Sequence, residues 1–275
     1  MSRPAIRAPR HLVLISLATL GVVAAIAAVQ IALQAEPRWM VISTIILAAA
    51  MVSSTVGFAF SAIAGAMILH CVPNGVEAVQ IMMSASIGIQ AYSVARLWRS
   101  IRWSRCAPFI LGGLAALPAG VVLLLHLHPR TYATAIGAAL VVYGLYMLLR
   151  RPWVLKSGER RAADVLIGAL GGITGPLAAL PGTWTTIWCG MRGWDKVAQR
   201  AVYQPYILIM QLAGLGALFL LEPQSALDPA VLAYALPGLA GAVIGLRFFQ
   251  ALSDLQFQRL INLALVASGV ALALG

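Results

Sequence analysis

Two stretches of this chain gather side chains that could hold a ligand, and nearly all of them are uncharged. Ser53, Ser54, Thr55 and Ser61 surround Gly57 in the first; Thr174, Thr183, Thr185 and Thr186 lie among Gly175-Pro176 and Pro181-Gly182 in the second. A further polar set follows each: Gln80, Ser84, Ser86 and Gln90, then Arg200, Tyr203, Gln204, Tyr206 and Gln211. Hydroxyls and carboxamides donate hydrogen bonds without changing protonation, and a guanidinium can grip an oxyanion through two parallel bonds. Such a set suits recognition of a small anion. Catalysis would need a nucleophile with its base or a metal cluster, and no His/Cys/Asp grouping has that spacing. We therefore expect no catalytic residues, no metal and no cofactor. Each residue also has a plainer reading: Ser and Thr near a helix break satisfy freed backbone groups, and Arg200 could be a membrane-side anchor.

The elements that must position these residues follow from composition. Hydrophobic residues make up 61% of the 275 positions and charged ones only 10%, with a mean hydropathy of +0.91. A soluble domain has about 25% charged residues, so this chain is an all-α polytopic membrane protein. Apolar runs at 11–34, 39–71, 76–95, 106–126, 131–149, 162–189, 201–221, 229–246 and 256–274 reach or approach the length of about 20 residues that spans a bilayer. The net charge of +11 resides in short loops between these runs, so nucleic acid is not an expected partner; the lipid bilayer is. The three cysteines have no ligand spacing and read as small apolar residues. His126 and His128 lack a visible third ligand and read as an interfacial loop.

Loop charge decides the topology. If every run crosses once, nine basic residues fall on the inside and ten on the outside, against the positive-inside rule. Runs 39–71 and 162–189 are interrupted by Ser53-Ser54-Thr55 and Gly57, and by Gly171-Gly172, Gly175-Pro176 and Pro181-Gly182. If each instead dips in and returns to its own side, seventeen basic residues lie inside and two outside. That topology has about seven spanning helices plus two re-entrant broken helices. Residues 1–38 supply an N-terminal transmembrane helix with its N-terminus inside.

The chain also repeats itself. At an offset of 125, residues 111–150 align on 236–275, with Gly113, Gly120 and Gly144 meeting Gly238, Gly245 and Gly269. Earlier, Glu77-Ala78-Val79 faces Arg200-Ala201-Val202 at an offset of 123, and Cys71 meets Cys189 at 118. The units are residues 39–151 and 162–275, joined by a basic cytoplasmic linker at 152–161. Because they start from opposite sides, they form two inverted repeats.

Val56-Gly57-Phe58-Ala59-Phe60-Ser61-Ala62-Ile63-Ala64 resembles the Gly-rich first segment of the sulfite exporter TauE/SafE family. Gly171-Gly172-Ile173-Thr174-Gly175, with Gly193-Trp194-Asp195-Lys196 and Gln199-Arg200-Ala201, is similar to that of its second repeat. The resemblance runs from about residue 40 to the end. The chain departs from it in having no consecutive glycines and no proline in the first segment before Pro73. It implies transport of small sulfur-containing or organic anions such as sulfite or sulfonates, across the bacterial inner (cytoplasmic) membrane.

Inverted repeats with broken helices place a substrate near the midplane, where half-helix N-termini offer free N–H groups. The expected substrate-binding residues are Ser53, Ser54, Thr55, Gly57, Ser61 and Gln80 of the first unit, and Thr174, Gly175, Thr183, Arg200, Tyr203 and Gln204 of the second. Carboxylates lie only at loop edges and helix ends, so a proton relay has no obvious carrier. An inside-negative potential drives an anion outward with about 2.3 kcal/mol per charge per 100 mV, which favours a potential-driven exporter over a proton-coupled one. The alternatives are a passive anion channel and a non-transporting membrane enzyme or assembly factor. The sequence does not fix an oligomeric state.

Overall fold

The computed structural model describes residues 37–57, 59–72, 74–126, 161–221 and 229–251, with isolated positions in 138–145 and 253–270. The first apolar run (11–34), nearly all of the linker 152–161 and most of runs 131–149 and 256–274 lie outside the described residues. The described part is helical throughout: α1 (Pro37–Val56), α2 (Phe60–Cys71), α3 (Gly75–Leu97), a 3-10 turn (Trp98–Ser100), α4 (Trp103–His126), α5 (Arg161–Ala178), α6 (Gly182–Met191), α7 (Lys196–Leu221), α8 (Pro229–Ala233) and α9 (Ala235–Ala251). Among the described residues, four helices are long and apolar enough to cross a membrane: residues 75–100, 103–126, 196–221 and 230–247. Large apolar side chains such as Leu111, Leu166 and Leu220 face outward. Apolar surface on that scale belongs in a lipid environment. The protein is an all-α, multi-pass integral membrane protein.

Local chemistry sets the helix starts. Asn74 caps α3, its side-chain oxygen accepting from the backbone N–H of Val76 (2.9 Å) and Glu77 (3.3 Å). Asp195 does the same for α7, accepting from Val197 and Ala198 at 2.9 Å each. Both caps satisfy orphan donors of a first turn, which a membrane interior would leave costly. Pro37 opens α1 at a position where a missing N–H costs nothing.

α3 and α7 form the centre and run antiparallel. Gln211 of α7 meets Ser86 of α3, Gly214 lies against Met83, and the 3-10 turn after α3 touches α7. Residues rising along one helix thus meet residues falling along the other. Around this pair the helices pack in two matching sets: α4 against α5, and α9 against α1. Glycines permit the approach. Gly120 sits on the backbone carbonyl of Ile173 in α5, and Gly245 on that of Met51 in α1. Gly113 faces Tyr206 and Met210 of α7, whereas Gly238 rests on the Ala85 carbonyl of α3. A Cβ at these positions would collide with backbone or packed side chains, which explains why small residues mark helix contacts in membranes.

Each broken segment is a hairpin. Arg38 at the start of α1 donates to Glu77 at the start of α3 (2.8 Å), so the chain goes in through α1 and returns through α2 to the same end. Asp164 at the start of α5 accepts from Arg192 just past α6 (3.2 Å) and from the Trp188 indole (2.6 Å). The second hairpin therefore also returns to its own end. α7 begins just after Arg192 and lies beside the far end of α3, so the two hairpins rise from opposite ends of a helix about 35 Å long. Their tips meet inside the protein.

Candidate functional site

The tips are where helical backbone stops and restarts. In the first, Gly57 takes φ +99° and Ala59 φ +32°, after which α2 begins at Phe60. In the second, Ala179 takes φ +52° and α6 begins at Gly182. A residue with a Cβ in the left-handed region is strained by about 1–2 kcal/mol, so both alanines are held there by their surroundings. The hold is visible. The Ser61 hydroxyl donates to the Ala179 carbonyl across 118 residues of sequence (2.7 Å), and Gln211 reaches the same carbonyl (3.4 Å). Thr174 donates to Leu180 (3.3 Å) as well as to Leu170 in its own helix (3.0 Å).

On the first tip the donors come from one face of α7. Arg200 Nη1 donates to the Ser54 carbonyl (2.9 Å) and Gln204 Nε2 to the Gly57 carbonyl (3.0 Å). The Tyr203 ring lies where a Gly57 side chain would be. These carbonyls belong to the last turn of α1 and the break after it, where no intrahelical partner exists. With no water from a surrounding hydrocarbon phase, other helices must supply the bonds.

A small cavity of about 20 Å³, room for about one water-sized group, opens between the tips. It is far smaller than a site for a drug-sized molecule. Its wall includes Ala59, Phe60 and Ser61 at the N-terminus of α2, and Pro181, Gly182 and Thr183 at that of α6. Ser86 and Gln90 of α3 and Gln211 of α7 line it as well. Every lining side chain is uncharged. Each helix N-terminus carries unsatisfied N–H groups and about half a positive charge, so two of them converge on one space. Among the described residues, the Thr183 hydroxyl and the Gln90 side-chain oxygen are buried and meet no hydrogen-bond partner within the protein. The arrangement can accept an anion with several oxygens.

The sulfite exporter TauE/SafE family matches residues 41–272, most of the chain. The chain belongs to that family. No curated protein and no solved structure matches it. As a sulfite exporter family member it is a membrane transporter, and the match begins just inside α1, so the first apolar run lies outside it, as the sequence resemblance implies.

Of the residues the sequence singles out, this family member places Ser61 and Thr183 on the cavity. Gly57, Thr174, Arg200, Tyr203 and Gln204 stand one layer behind, holding the tips. Gly175 lies beside the Pro181 ring, and the Ser54 side chain is buried in α1. Ser53 bonds back to Ala50 in its own helix (3.4 Å). Gln80 is buried on α3 away from the lining. Thr55 lies in α1, but its side chain is outside the described residues. Ser86, Gln90 and Gln211, which the sequence offers only as part of the polar set after each broken segment, line the cavity as well; the first two are four apart and so share a helix face. His126 bonds to Val122 in its own helix (2.8 Å) and His128 is outside the described residues. Among the described residues no three His, Cys, Asp or Glu side chains converge.

Proposed function

We propose that this transporter exports a small sulfur-containing anion, such as sulfite or a short sulfonate, through the cavity between the two hairpin tips. The observation that carries the reading is the convergence of two half-helix N-termini on a space lined only by neutral groups, with the Thr183 hydroxyl left over for a ligand and the Gln90 carboxamide on the wall. Neutral donors and helix ends stabilise an anion without binding it so tightly that it cannot leave. The substrate-binding set is then Ser61, Ser86, Gln90, Thr183 and Gln211 with the amides at 60–61 and 182–183. Ser53, Ser54, Thr55, Gly57, Gln80, Thr174, Gly175, Arg200, Tyr203 and Gln204 form the frame that fixes it.

The two units are an inverted duplication, with seven crossings once the runs at 11–34, 131–149 and 256–274 are added to the four described. Gly113 and Gly238 occupy matched positions, as do Gly120 and Gly245, and each packs against the other unit, which supports this. The Arg192 end of the bundle also gathers Arg96, Arg99, Arg102 and Arg105, so it faces the cytoplasm of a bacterial inner membrane by the positive-inside rule. Outward movement follows the membrane potential.

Purified full-length protein is tested by thermal unfolding against sulfite, thiosulfate, methanesulfonate and acetate. Sulfite or the sulfonate should raise the unfolding temperature saturably, by mass action. Thr183→Val and Gln90→Leu should each weaken that binding about 10-fold, the scale of one hydrogen bond to a charged group. Stabilisation by none of the four anions, or unchanged affinity in both variants, overturns the site. In liposomes, efflux that follows a proton gradient at zero voltage overturns the potential-driven mechanism.

A further inference from the structure

Among the described residues, Arg200 is the largest side chain that is fully enclosed. The sequence presents it as a guanidinium that could bind an oxyanion directly or anchor the membrane side. In the fold it lies behind the first tip, with Nη1 on the Ser54 carbonyl (2.9 Å), and it is absent from the cavity wall. Ser54 is in the last turn of α1, whose C-terminus carries about half a negative charge on its exposed carbonyls. The N-terminus of α2, which lines the cavity, begins six residues later at Phe60. The two helix ends therefore stand together at the hairpin tip across Gly57 and Ala59, and the negative end would cancel much of the positive end's attraction for an anion.

We propose that Arg200 is a positioning residue for anion binding. Its guanidinium masks the C-terminus of α1 so that the adjacent N-terminus of α2 acts on the cavity as an uncompensated positive end. Gln204 assists by binding the Gly57 carbonyl (3.0 Å), and the Tyr203 ring fills the space against Gly57. The second tip has no equivalent cation among the groups that hold it: Ser61, Gln211 and Thr174 are neutral. The attraction exerted by the first tip thus depends on a charge that never touches the ligand. This assignment rests on the cavity being the anion site.

The test compares Arg200→Gln and Arg200→Lys in the purified full-length protein. Gln keeps a donor for the Ser54 carbonyl and removes the charge; Lys keeps the charge and loses the fork. Two readouts are taken: the Kd for sulfite, and hydrogen exchange of the backbone amides at 57–63 and 179–184 without anion. Arg200→Gln should raise the sulfite Kd about 10-fold, and Arg200→Lys should restore it to within about 3-fold of the parent. Amides at 57–63 should exchange faster in Arg200→Gln while those at 179–184 keep their rates. A parent-like Kd in Arg200→Gln overturns the proposal, as does a Lys variant as weak as the Gln variant. Unchanged exchange at 57–63 likewise overturns it. If the parent protein binds no oxyanion yet exchange at 57–63 accelerates, the cavity reading falls and Arg200 remains only a structural clasp of the tip. Should Arg200→Gln fail to fold, Gln204→Leu removes a neighbouring bond with no change in charge. It should accelerate exchange at 57–63 but shift the sulfite Kd less than 3-fold; a 10-fold shift there would show that bonding, not charge, governs the tip.

Discussion

The two hairpin tips meet the same requirement with different chemistry. At the first, a guanidinium, a carboxamide and a phenol ring from α7 close on Ser54–Gly57. At the second, the hydroxyls of Ser61 and Thr174 and the carboxamide of Gln211 close on Ala179 and Leu180. The clasps at the hairpin bases differ as well. Arg38–Glu77 is well exposed, at 45% and 38% for the two side chains, whereas Arg192–Asp164 is enclosed, at 11% and 9%. Around Arg192 stand the rings of Trp188 and Trp194, and Arg105 of α4 also lies over the Trp194 ring. The comparison teaches that apolar surroundings demand a partner for every freed backbone group but leave the donor's identity open. Two hairpins can then share a shape while few of their polar residues match.

The contrast between the clasps gives the largest expected effect. Asp164→Ala strands the enclosed Arg192 cation and the Trp188 N–H, and should cost about 3–5 kcal/mol, read as a large fall in the thermal unfolding midpoint in detergent. At the first tip, Gly57→Ala meets both a φ of +99° and the Tyr203 side chain, so about 2–4 kcal/mol should be lost. A near-neutral result would mean that the tip relaxes freely, which the left-handed Ala59 argues against. Ser61→Ala and Gln211→Leu share one acceptor, the Ala179 carbonyl. Each alone should cost about 1 kcal/mol and the double variant distinctly more than the sum, because only then is the carbonyl without either donor. Simple additivity would show that the two bonds are independent. Smallest of all, Arg38→Ala should cost no more than about 1 kcal/mol, since its pair is exposed and screened. Equal losses in Arg38→Ala and Asp164→Ala would erase the distinction between the clasps.

Several features were legible in residue order because each acts on a single segment. Apolar length marks the crossings, and the distribution of arginines marks runs 39–71 and 162–189 as returning to their own side; the ion pairs at Arg38 and Arg192 sit where that return requires. The position of the second break was less legible. Gly171-Gly172 and Gly175-Pro176 read as interruptions, yet α5 continues through them to Ala178. Gly172 lies against the Gly113 carbonyl of α4, and Gly171 against Tyr206 and the Pro181 carbonyl. Those glycines are there for close approach, and the chain turns only at Ala179.

By itself, the sequence determined a helical, multi-pass membrane protein with two broken segments, because partitioning between water and lipid is settled segment by segment. Tertiary structure alone decided which polar residues meet. Ser61 and Ala179 are 118 positions apart, and Arg200 is 146 from Ser54. Whether a side chain lines the cavity or braces the tip behind it depends on how α3 and α7 are rotated against the hairpins. That rotation is fixed by glycine contacts between helices distant in sequence, which no local pattern of residues encodes.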